Sequence, residues 1–242
     1  MLSQQKQKIG DFECVVVKDD ECESPDAVVV LCHGFGAPAT DLVSIAGEFF
    51  DREDGNRNVA YVFPFGPIEL DALFDTRAWW MIDVERIQRL MMNGETRELK
   101  SHAPELLVER RKGLSNLIDL CRVDFKVDPS QVVVGGFSQG AMLATEVALN
   151  YTEVLGGLIV WSGSLINEVE WVEKSKSQSS LNVVQSHGRL DPVLPFSGAE
   201  DLCELLRSDG HSVKFQEFGG NHTIPMEAIG LAAELINRVA GQ

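Results

Sequence analysis

The chain has 242 residues, 44% of them hydrophobic and 24% charged, which is typical of a globular protein long enough for one sizeable core. Its 37 acidic and 21 basic residues give a net charge of −16, and this charge argues against binding to nucleic-acid phosphates and against stable insertion into anionic membranes. No apolar run reaches the roughly 18 residues of a membrane span, the first residues lack an apolar leader, and the five cysteines form no CxxC pair, so we expect a cytoplasmic protein with reduced thiols.

In the first half of the chain, β-branched runs predict three strands and the spacing of apolar residues predicts two helices. Pro64 ends the third strand, and the second helix carries Leu114 and Leu117 on one face. The strands are predicted over 13–19, 27–36 and 58–66, and the helices over 41–50 and 104–121.

The second half of the chain continues this alternation with strands over 131–136, 156–163, 181–188 and 212–220 and helices over 139–150, 197–208 and 225–239. Several strands are apolar on both faces, as in a parallel sheet that helices cover on both sides. We therefore predict a single α/β domain over residues 1–242 with a mostly parallel central sheet and helices on both faces. Ligands of such sheets bind at the carboxyl ends of the strands.

Ser138 lies at one of these strand ends, within the segment GGFSQGAML. A run of valines precedes it and a helical pattern follows it. A serine in G-x-S-x-G at a sharp strand-to-helix turn exposes its hydroxyl at the helix N-terminus, and Gly136 and Gly140 relieve crowding there. The pattern predicts a nucleophile elbow, in which the backbone N–H of Gln139 points at the group that Ser138 attacks.

A serine nucleophile needs a histidine base and an acid that orients the base. Three histidines follow Ser138 in the sequence. His222 comes after the last predicted strand, and we assign it as the base with Asp191 as the acid, in the chain order of α/β-hydrolases. We expect His187 to pack beneath the turn of Asp191 with one ring nitrogen bonded to backbone, and His211 to lie at the opposite edge of the sheet.

The loop after the early strand, LCHGFGAPATDL, is where an α/β-hydrolase supplies the second oxyanion donor. We predict that the backbone N–H of Phe35 is this donor, beside that of Gln139, and that His33 braces the loop. The sequence has no HExxH motif and no tight cluster of histidine and aspartate, so we predict neither a metal nor a cofactor.

These segments together resemble the phospholipase/carboxylesterase family of α/β-hydrolases, which includes acyl-protein thioesterases. The resemblance extends from about residue 27 to the C-terminus and implies an α/β-hydrolase fold and hydrolysis of small-molecule or acylated esters or thioesters without a cofactor. It carries the nucleophile onto Ser138, the acid onto Asp191, the base onto His222 and the oxyanion donors onto Phe35 and Gln139. The matching segments are LCHGFGAPATDL, YVFPFGP, WWMID, GGFSQGAML, HGRLDPVLP and GGNHTIP.

The resemblance also implies that Trp79 and Trp80 wall the substrate pocket, with ordinary core packing as the alternative. The main departure from the family is the segment 83–103, where the family is normally shorter. Its apolar residues predict one helical face, and the segment forms either a flexible cap at the entrance or an excursion packed on the sheet edge. The residues of this face and entrance are Val84, Ile87, Leu90, Met91 and Met92.

Two other functions are compatible with parts of the sequence. Gly34, Gly36 and Ala39 form G-x-G-x-x-A after a strand, which is the fingerprint of a dinucleotide-binding oxidoreductase. The next strand ends without the acidic residue that this fingerprint requires, and Pro38 disturbs the helix entry. A catalytically silent hydrolase fold that acts as a binding protein is the other alternative. The sequence predicts neither the acyl-chain length nor the oligomeric state.

Overall fold

The hydrophobic runs of the sequence form the inner strands of a β-sheet in the computed structural model, which describes residues 1–52 and 58–241. The strands are β1 (Leu2–Ile9), β2 (Phe12–Asp19), β3 (Ala27–Cys32), β4 (Ala37–Pro38), β5 (Val59–Pro64), β6 (Ile68–Asp71), β7 (Thr76–Ala78), β8 (Val132–Phe137), β9 (Gly157–Trp161), β10 (Asn182–Gly188) and β11 (Ser212–Phe218). Within the described residues, eight of them form one sheet in the order β1-β2-β5-β3-β8-β9-β10-β11.

Six strands of this sheet, from β5 to β11 in that order, run parallel to one another, which confirms the predicted mostly parallel sheet. β1 and β2 join antiparallel at one edge. β1 was not predicted from the sequence, because its side chains, such as Gln4 and Lys6, are polar and exposed and show no apolar pattern.

The helices cover the sheet on both faces and enclose two hydrophobic cores. They are α1 (Ile45–Phe50), α2 (Val84–Asn93), α3 (Thr96–Ser101), α4 (Leu107–Phe125), α5 (Gln139–Asn150), α6 (Glu168–Ser177), α7 (Phe196–Ser208) and α8 (Met226–Val239). Because side chains alternate along a strand, Val28 of β3 packs in the core under α4 and α5, and Val29 packs in the core under α1 and α8. None of the described helices is long and apolar enough to cross a membrane.

The chain between β3 and α1 contradicts the dinucleotide-binding alternative. After Gly36 it forms β4, which joins β6 and β7 in a small antiparallel sheet. Turns occupy the following residues and α1 begins only at Ile45, later than the predicted start at residue 41. A dinucleotide site needs a helix N-terminus directly after the glycines, where the pyrophosphate binds. This loop does not provide one.

Two helical regions show where the sequence pattern was insufficient. α6 was not predicted, because its buried residues are Trp171 and Ser175, and these two make no helical stripe. The segment 83–103 contains α2 and α3, so the predicted helical face is confirmed as a helix. The side chain of Met91 lies outside the described residues.

A buried carboxylate ties α5, the helix that begins beside Ser138, to α4 and α6. The side chain of Glu146 is fully buried; its Oε1 lies 2.6 Å from Nη1 of Arg111, and its Oε2 accepts a hydrogen bond of 2.6 Å from Nε1 of Trp171. Arg111 also pairs with Glu170 of α6 at 2.9 Å. Every charge in this cluster therefore has a partner, as burial of charge requires.

Replacing Glu146 by alanine is expected to lower the free energy of unfolding by about 3–4 kcal/mol, because Arg111 and the indole N–H of Trp171 lose their buried partner. Urea denaturation measures this loss. Glu153 is the control: it is exposed and pairs with Arg122 at 3.6 Å, so Glu153→Ala should change the stability by less than about 0.5 kcal/mol. Equal losses in the two variants would show that the buried cluster adds nothing.

Candidate active site

Ser138 occupies a strained turn between β8 and α5. Its φ of 54° and ψ of −116° lie outside the regions that residues with a Cβ ordinarily adopt. The turn is held because the N–H of Ser138 donates to the carbonyl of Trp161 at 2.8 Å and the N–H of Met142 donates to the carbonyl of Ser138 at 3.1 Å. Strain of this kind persists only where the surroundings impose it, and it clusters at functional sites. The predicted elbow geometry is therefore present.

Gly136 and Gly140 are required by close packing against the end of β3. A Cβ on Gly136 would lie 2.3 Å from the carbonyl oxygen of Cys32, and one on Gly140 would lie 2.0 Å from the same atom. The predicted crowding within the turn is also present, since the Gly136 Cβ would lie 2.7 Å from the carbonyl carbon of Gly140. The contact with Cys32, which sequence spacing cannot show, is the tighter constraint.

Asp191 and His222 meet across two loops at the carboxyl edge of the sheet. Asp191 follows β10 and His222 follows β11, and Nδ1 of His222 lies 2.6 Å from Oδ2 of Asp191. A carboxylate oxygen only accepts, so Nδ1 carries the proton and the neutral imidazole keeps Nε2 as its acceptor. The structure thus brings the predicted acid and base together in the tautomer that a general base requires.

The Asp191 side chain is fully buried and is held ionised by its neighbours. Its Oδ1 accepts the backbone N–H groups of Val193 and Leu194 at 2.8 and 2.9 Å. Burial by itself raises the pKa of Asp191, but hydrogen bonds from His187, His222 and the Leu194 N–H outweigh burial and lower this pKa well below its usual range. The carboxylate is therefore a permanent negative charge beside His222.

The His222 loop is positioned from both sides. The ring of Phe137 lies 4.7 Å from the His222 ring between centroids, and the hydroxyl of Ser162 donates to the carbonyl of Thr223 at 3.2 Å. His222 is 15% exposed at its side chain, and it lines the same cavity as Ser138. The part of Ser162 was not predicted from the sequence, because a serine at the end of β9 carries no pattern that pairs it with residue 223.

The loop after β3 is braced by a neutral His33, as predicted. Its Nδ1 lies 2.8 Å from the Gly34 carbonyl, and its Nε2 accepts the N–H of Gly66 at 2.9 Å. Burial lowers the pKa of His33, which favours the neutral ring. Both ring nitrogens bond to backbone, so neither is free for proton transfer. This bracing places Gly34 and Phe35 on the cavity wall.

Gln139 uses its side chain to fix the two tryptophans. Its Oε1 accepts the N–H of Trp79 at 2.9 Å and its Nε2 donates to the carbonyl of Trp80 at 2.8 Å. Its own backbone N–H is at the first position of α5, where helices leave N–H groups without an intrahelical partner. The side chain of Gln139 is therefore structural, and its N–H is available to an oxyanion.

Trp79 and Trp80 differ in their surroundings. Trp80 lines the cavity, but Trp79 is fully buried in the core, where its Nε1 donates to the carbonyl of His33 at 2.9 Å. The expectation that both tryptophans wall the pocket is wrong for Trp79, which packs in the core as the alternative held. The contacts of Gln139 with both backbones and of the His33 carbonyl with the Trp79 indole leave only Trp80 facing the cavity.

Ser138 and His222 open into a cavity of about 700 Å³. Its wall is mainly apolar, and part of it comes from the segment 83–103, whose residues Val84, Ile87, Leu90 and Leu99 face the cavity. The opposite wall is formed by Leu165, Ile166, Val193 and Leu194. A mostly apolar wall that also carries polar side chains, among them Ser138 and His222, suits an apolar ligand with a polar centre.

No group of three or more His, Cys, Asp or Glu side chains in residues 1–52 and 58–241 is arranged to hold a metal ion. Ser138, His222 and the backbone near Phe35 line the cavity, and His222 is paired with Asp191 behind it. Other polar side chains on the wall are those of Asp83, Arg86, Glu98, His102, Glu105 and Ser164. A hydroxyl, an imidazole paired with a carboxylate, and backbone N–H groups are the groups that acyl transfer requires.

Comparison with known proteins gives the same family as the motifs. The sequence profile of the phospholipase/carboxylesterase family matches residues 13–240. A probable carboxylesterase of rice, Oryza sativa subsp. japonica, is 33% identical over 206 residues, which are 83% of this chain and 83% of that protein. Acyl-protein thioesterase 1 of Eremothecium gossypii is 28% identical over 210 residues, 81% of this chain and 80% of that protein.

Solved structures support the fold. The crystal structure of a carboxylesterase from Mesorhizobium loti matches with a TM-score of 0.70 and covers 99% of both chains at 13% identity. At this identity the match shows the α/β-hydrolase fold alone, and it agrees with the predicted fold class.

Proposed function

Because this chain belongs to the phospholipase/carboxylesterase family, we propose that it is a serine hydrolase that cleaves carboxylic esters or thioesters through an acyl-enzyme. The observation that carries this proposal is the strained Ser138 at the wall of an apolar cavity that His222, paired with Asp191, also lines. A substrate carbonyl in this cavity would lie against the Ser138 hydroxyl, on the side away from His222.

In the proposed first step, His222 takes the proton of the Ser138 hydroxyl while Oγ attacks the carbonyl carbon. The tetrahedral intermediate collapses, its bond to the alcohol or thiol breaks, and the imidazolium gives its proton to that leaving group. In the second step, a water molecule loses a proton to His222 and attacks the acyl carbon. The bond from this carbon to Oγ then breaks, the imidazolium returns its proton to Oγ, and the acid is released. Asp191 keeps Nδ1 of His222 protonated and stabilises the imidazolium charge.

The backbone N–H groups of Phe35 and Gln139 are the proposed oxyanion donors. The Gln139 N–H lies at the N-terminus of α5. The Phe35 loop lies on the cavity wall, and His33 braces it. Donors that are fixed before the reaction stabilise the developing charge without reorganisation, and each is worth about 3–4 kcal/mol. The positive end of the α5 dipole acts in the same direction.

A fluorophosphonate probe tests this function directly. We expect one covalent adduct per chain, located on Ser138 by peptide mass spectrometry, together with hydrolysis of p-nitrophenyl esters that the adduct abolishes. A chain that binds esters but is neither labelled nor active would instead be the catalytically silent binding protein.

The five buried, unpaired cysteines support a cytoplasmic site of action, where thiols stay reduced.

We propose that the segment 83–103 is a cap over the acyl site, not an excursion on the sheet edge. Residues from both of its helices face the cavity. Arg86 of α2 pairs with Glu98 of α3 at 3.6 Å, and Lys100 of α3 forms an ion pair with Asp201 of α7. The N–H of Asn167 also donates to the carbonyl of His102 at 3.2 Å. The pair of Arg86 and Glu98 joins the two helices of the cap, and the contacts of Lys100 and His102 hold the cap against the body of the protein.

The cap should therefore set the length of acyl chain that the enzyme accepts. Replacing Ile87 by tryptophan fills part of the cavity, so kcat/KM for p-nitrophenyl esters of eight or more carbons should fall on the order of 10-fold, since a misplaced methylene costs about 1–3 kcal/mol. The acetate ester should be hydrolysed within about twofold of the wild-type rate because it occupies only the end nearest Ser138.

Met92 supplies the matched control on the same helix. It is 80% exposed and outside the cavity wall, so Met92→Trp should leave the whole ester series unchanged. If Ile87→Trp reduced turnover of all esters equally, or of none, the cap would not contact the acyl chain.

A further inference from the structure

His187 is a fully buried histidine that neither step of the proposed reaction uses. It lies near the end of β10, four residues before Asp191. Its Nε2 lies 3.1 Å from the carbonyl oxygen of Leu194 and 3.3 Å from Oδ2 of Asp191. The same carboxylate oxygen contacts His222 at 2.6 Å, so two histidines share one oxygen.

The tautomer of His187 follows from its contacts. A backbone carbonyl and a carboxylate both only accept hydrogen bonds, so Nε2 must carry a proton. The other ring nitrogen, Nδ1, is buried without a hydrogen-bond partner among the described residues. A second proton on Nδ1 would leave a buried donor unpaired, so the contacts favour the neutral ring that is protonated on Nε2.

These contacts link His187, Asp191 and Leu194 into a closed circuit. The His187 ring contacts the Leu194 carbonyl, the Leu194 N–H donates to Oδ1 of Asp191 at 2.9 Å, and Oδ2 of Asp191 returns to His187. The N–H of Val193 adds a second donor to Oδ1. The backbone N–H groups of Val193 and Leu194 hold Oδ1 in place. The His187 ring, in contact with Oδ2, limits rotation of the carboxylate group about Oδ1.

We propose that His187 is a positioning residue, which holds Oδ2 of Asp191 against Nδ1 of His222 and so keeps the base aligned with Ser138. This inference rests on the proposed function, since it concerns the alignment of the same acid and base. Without His187 the carboxylate keeps its anchor at Oδ1 but loses the contact that confines Oδ2, and the imidazole of His222 turns with it.

Within the described part of the chain, no Lys or Arg side chain pairs with the Asp191 carboxylate, whose side-chain partners are His187 and His222. In the next turn, Arg189 pairs with Glu217 of β11 and lies over the ring of Phe196 at 4.9 Å. Phe196 of α7 covers the His187 ring from the side at 6.0 Å between centroids. His187 and His222 are thus the side chains that face the carboxylate.

The test compares His187→Leu, which removes the donor, with His187→Gln, whose amide nitrogen can reach the Nε2 position. We expect His187→Leu to lower kcat for a p-nitrophenyl ester on the order of 10–100-fold with KM within about twofold, as a small misalignment of reacting groups does. His187→Gln should recover most of this loss. His211 is the control, a buried histidine at the opposite end of the sheet that contacts Leu181 and Ser175, so His211→Leu should keep the kcat of the folded fraction.

Thermal melting of each variant separates alignment from folding. A His187→Leu variant with wild-type kcat per folded molecule, or with a loss that His187→Gln does not repair, would overturn the inference. If His187→Leu does not fold, His187→Asn replaces it, because its shorter amide cannot reach Asp191; equal kcat in the Asn and Gln variants would also overturn the inference. Absence of labelling of the wild-type chain by the fluorophosphonate probe would instead refute the proposed function itself.

Discussion

Replacing Ser138 by alanine is expected to reduce kcat for p-nitrophenyl esters on the order of 10⁶-fold, because the acyl-enzyme cannot form without its hydroxyl. The residual rate would come from the oxyanion donors and substrate binding alone. Alanine has the same Cβ as serine, so it meets the same strain at φ 54°, and the variant should fold as the wild-type chain does. Stopped assays at high enzyme concentration measure the remaining turnover.

Ser164 provides the matched control for this loss. It is a second buried serine on the wall of the same cavity. Among the described contacts, none joins Ser164 to a histidine that is paired with a carboxylate. Ser164→Ala should keep most of the turnover and its labelling by the fluorophosphonate probe. If Ser138→Ala stayed active and Ser164→Ala did not, the nucleophile would be assigned to the wrong serine.

Replacing Asp191 by asparagine should lower kcat by about 10⁴-fold, because the amide orients His222 in the wrong tautomer. The backbone N–H groups of Val193 and Leu194 need an acceptor, so they bind the amide oxygen and turn the amide nitrogen toward His222. That nitrogen donates, which makes Nδ1 of His222 the acceptor and places its proton on Nε2. An imidazole in this state cannot take the proton of Ser138.

The Asp191→Asn variant should also lose thermal stability, for a reason separate from its loss of kcat. The amide nitrogen introduced at position 191 would face the Nε2 proton of His187 as well, so two donors meet where a carboxylate now accepts both histidines. In the double variant Asp191→Asn with His187→Gln, the amide oxygen at position 187 can accept from the amide nitrogen at position 191. The double variant should therefore melt at a higher temperature than Asp191→Asn alone, while its kcat stays low. A tenfold or smaller loss of kcat in the single Asp191→Asn variant would contradict the part given to Asp191.

Some site residues were predictable because their signals are local. A valine run followed by G-x-S-x-G places Ser138 at the end of a strand, and the fragments around Asp191 and His222 also follow strands. Since the carboxyl ends of parallel strands lie at one edge of the sheet, residues at the ends of β8, β10 and β11 were expected to be neighbours. The contact of 2.6 Å between Asp191 and His222 agrees with that expectation.

Other parts of the molecule were missed because their signals are not local. The polar edge strand β1 is held by backbone pairing with β2, and α6 is held by Trp171 and its bond to Glu146, 25 positions earlier in the chain. Trp79 and Trp80 are identical in the sequence. The side chain of Gln139, 60 and 59 positions away, and the carbonyl of His33 fix which one faces the cavity.

The amino-acid sequence by itself determined the α/β architecture and the chain positions of the proposed nucleophile, acid and base, because apolar periodicity and turn chemistry act over a few neighbouring residues. The tertiary structure alone decided what those residues contact: the carbonyl of Cys32 that demands Gly136 and Gly140, the ring of His187 against Asp191, and the helices of 83–103 across the cavity. Each of these contacts joins different elements of the fold, and packing, not sequence spacing, sets their distances.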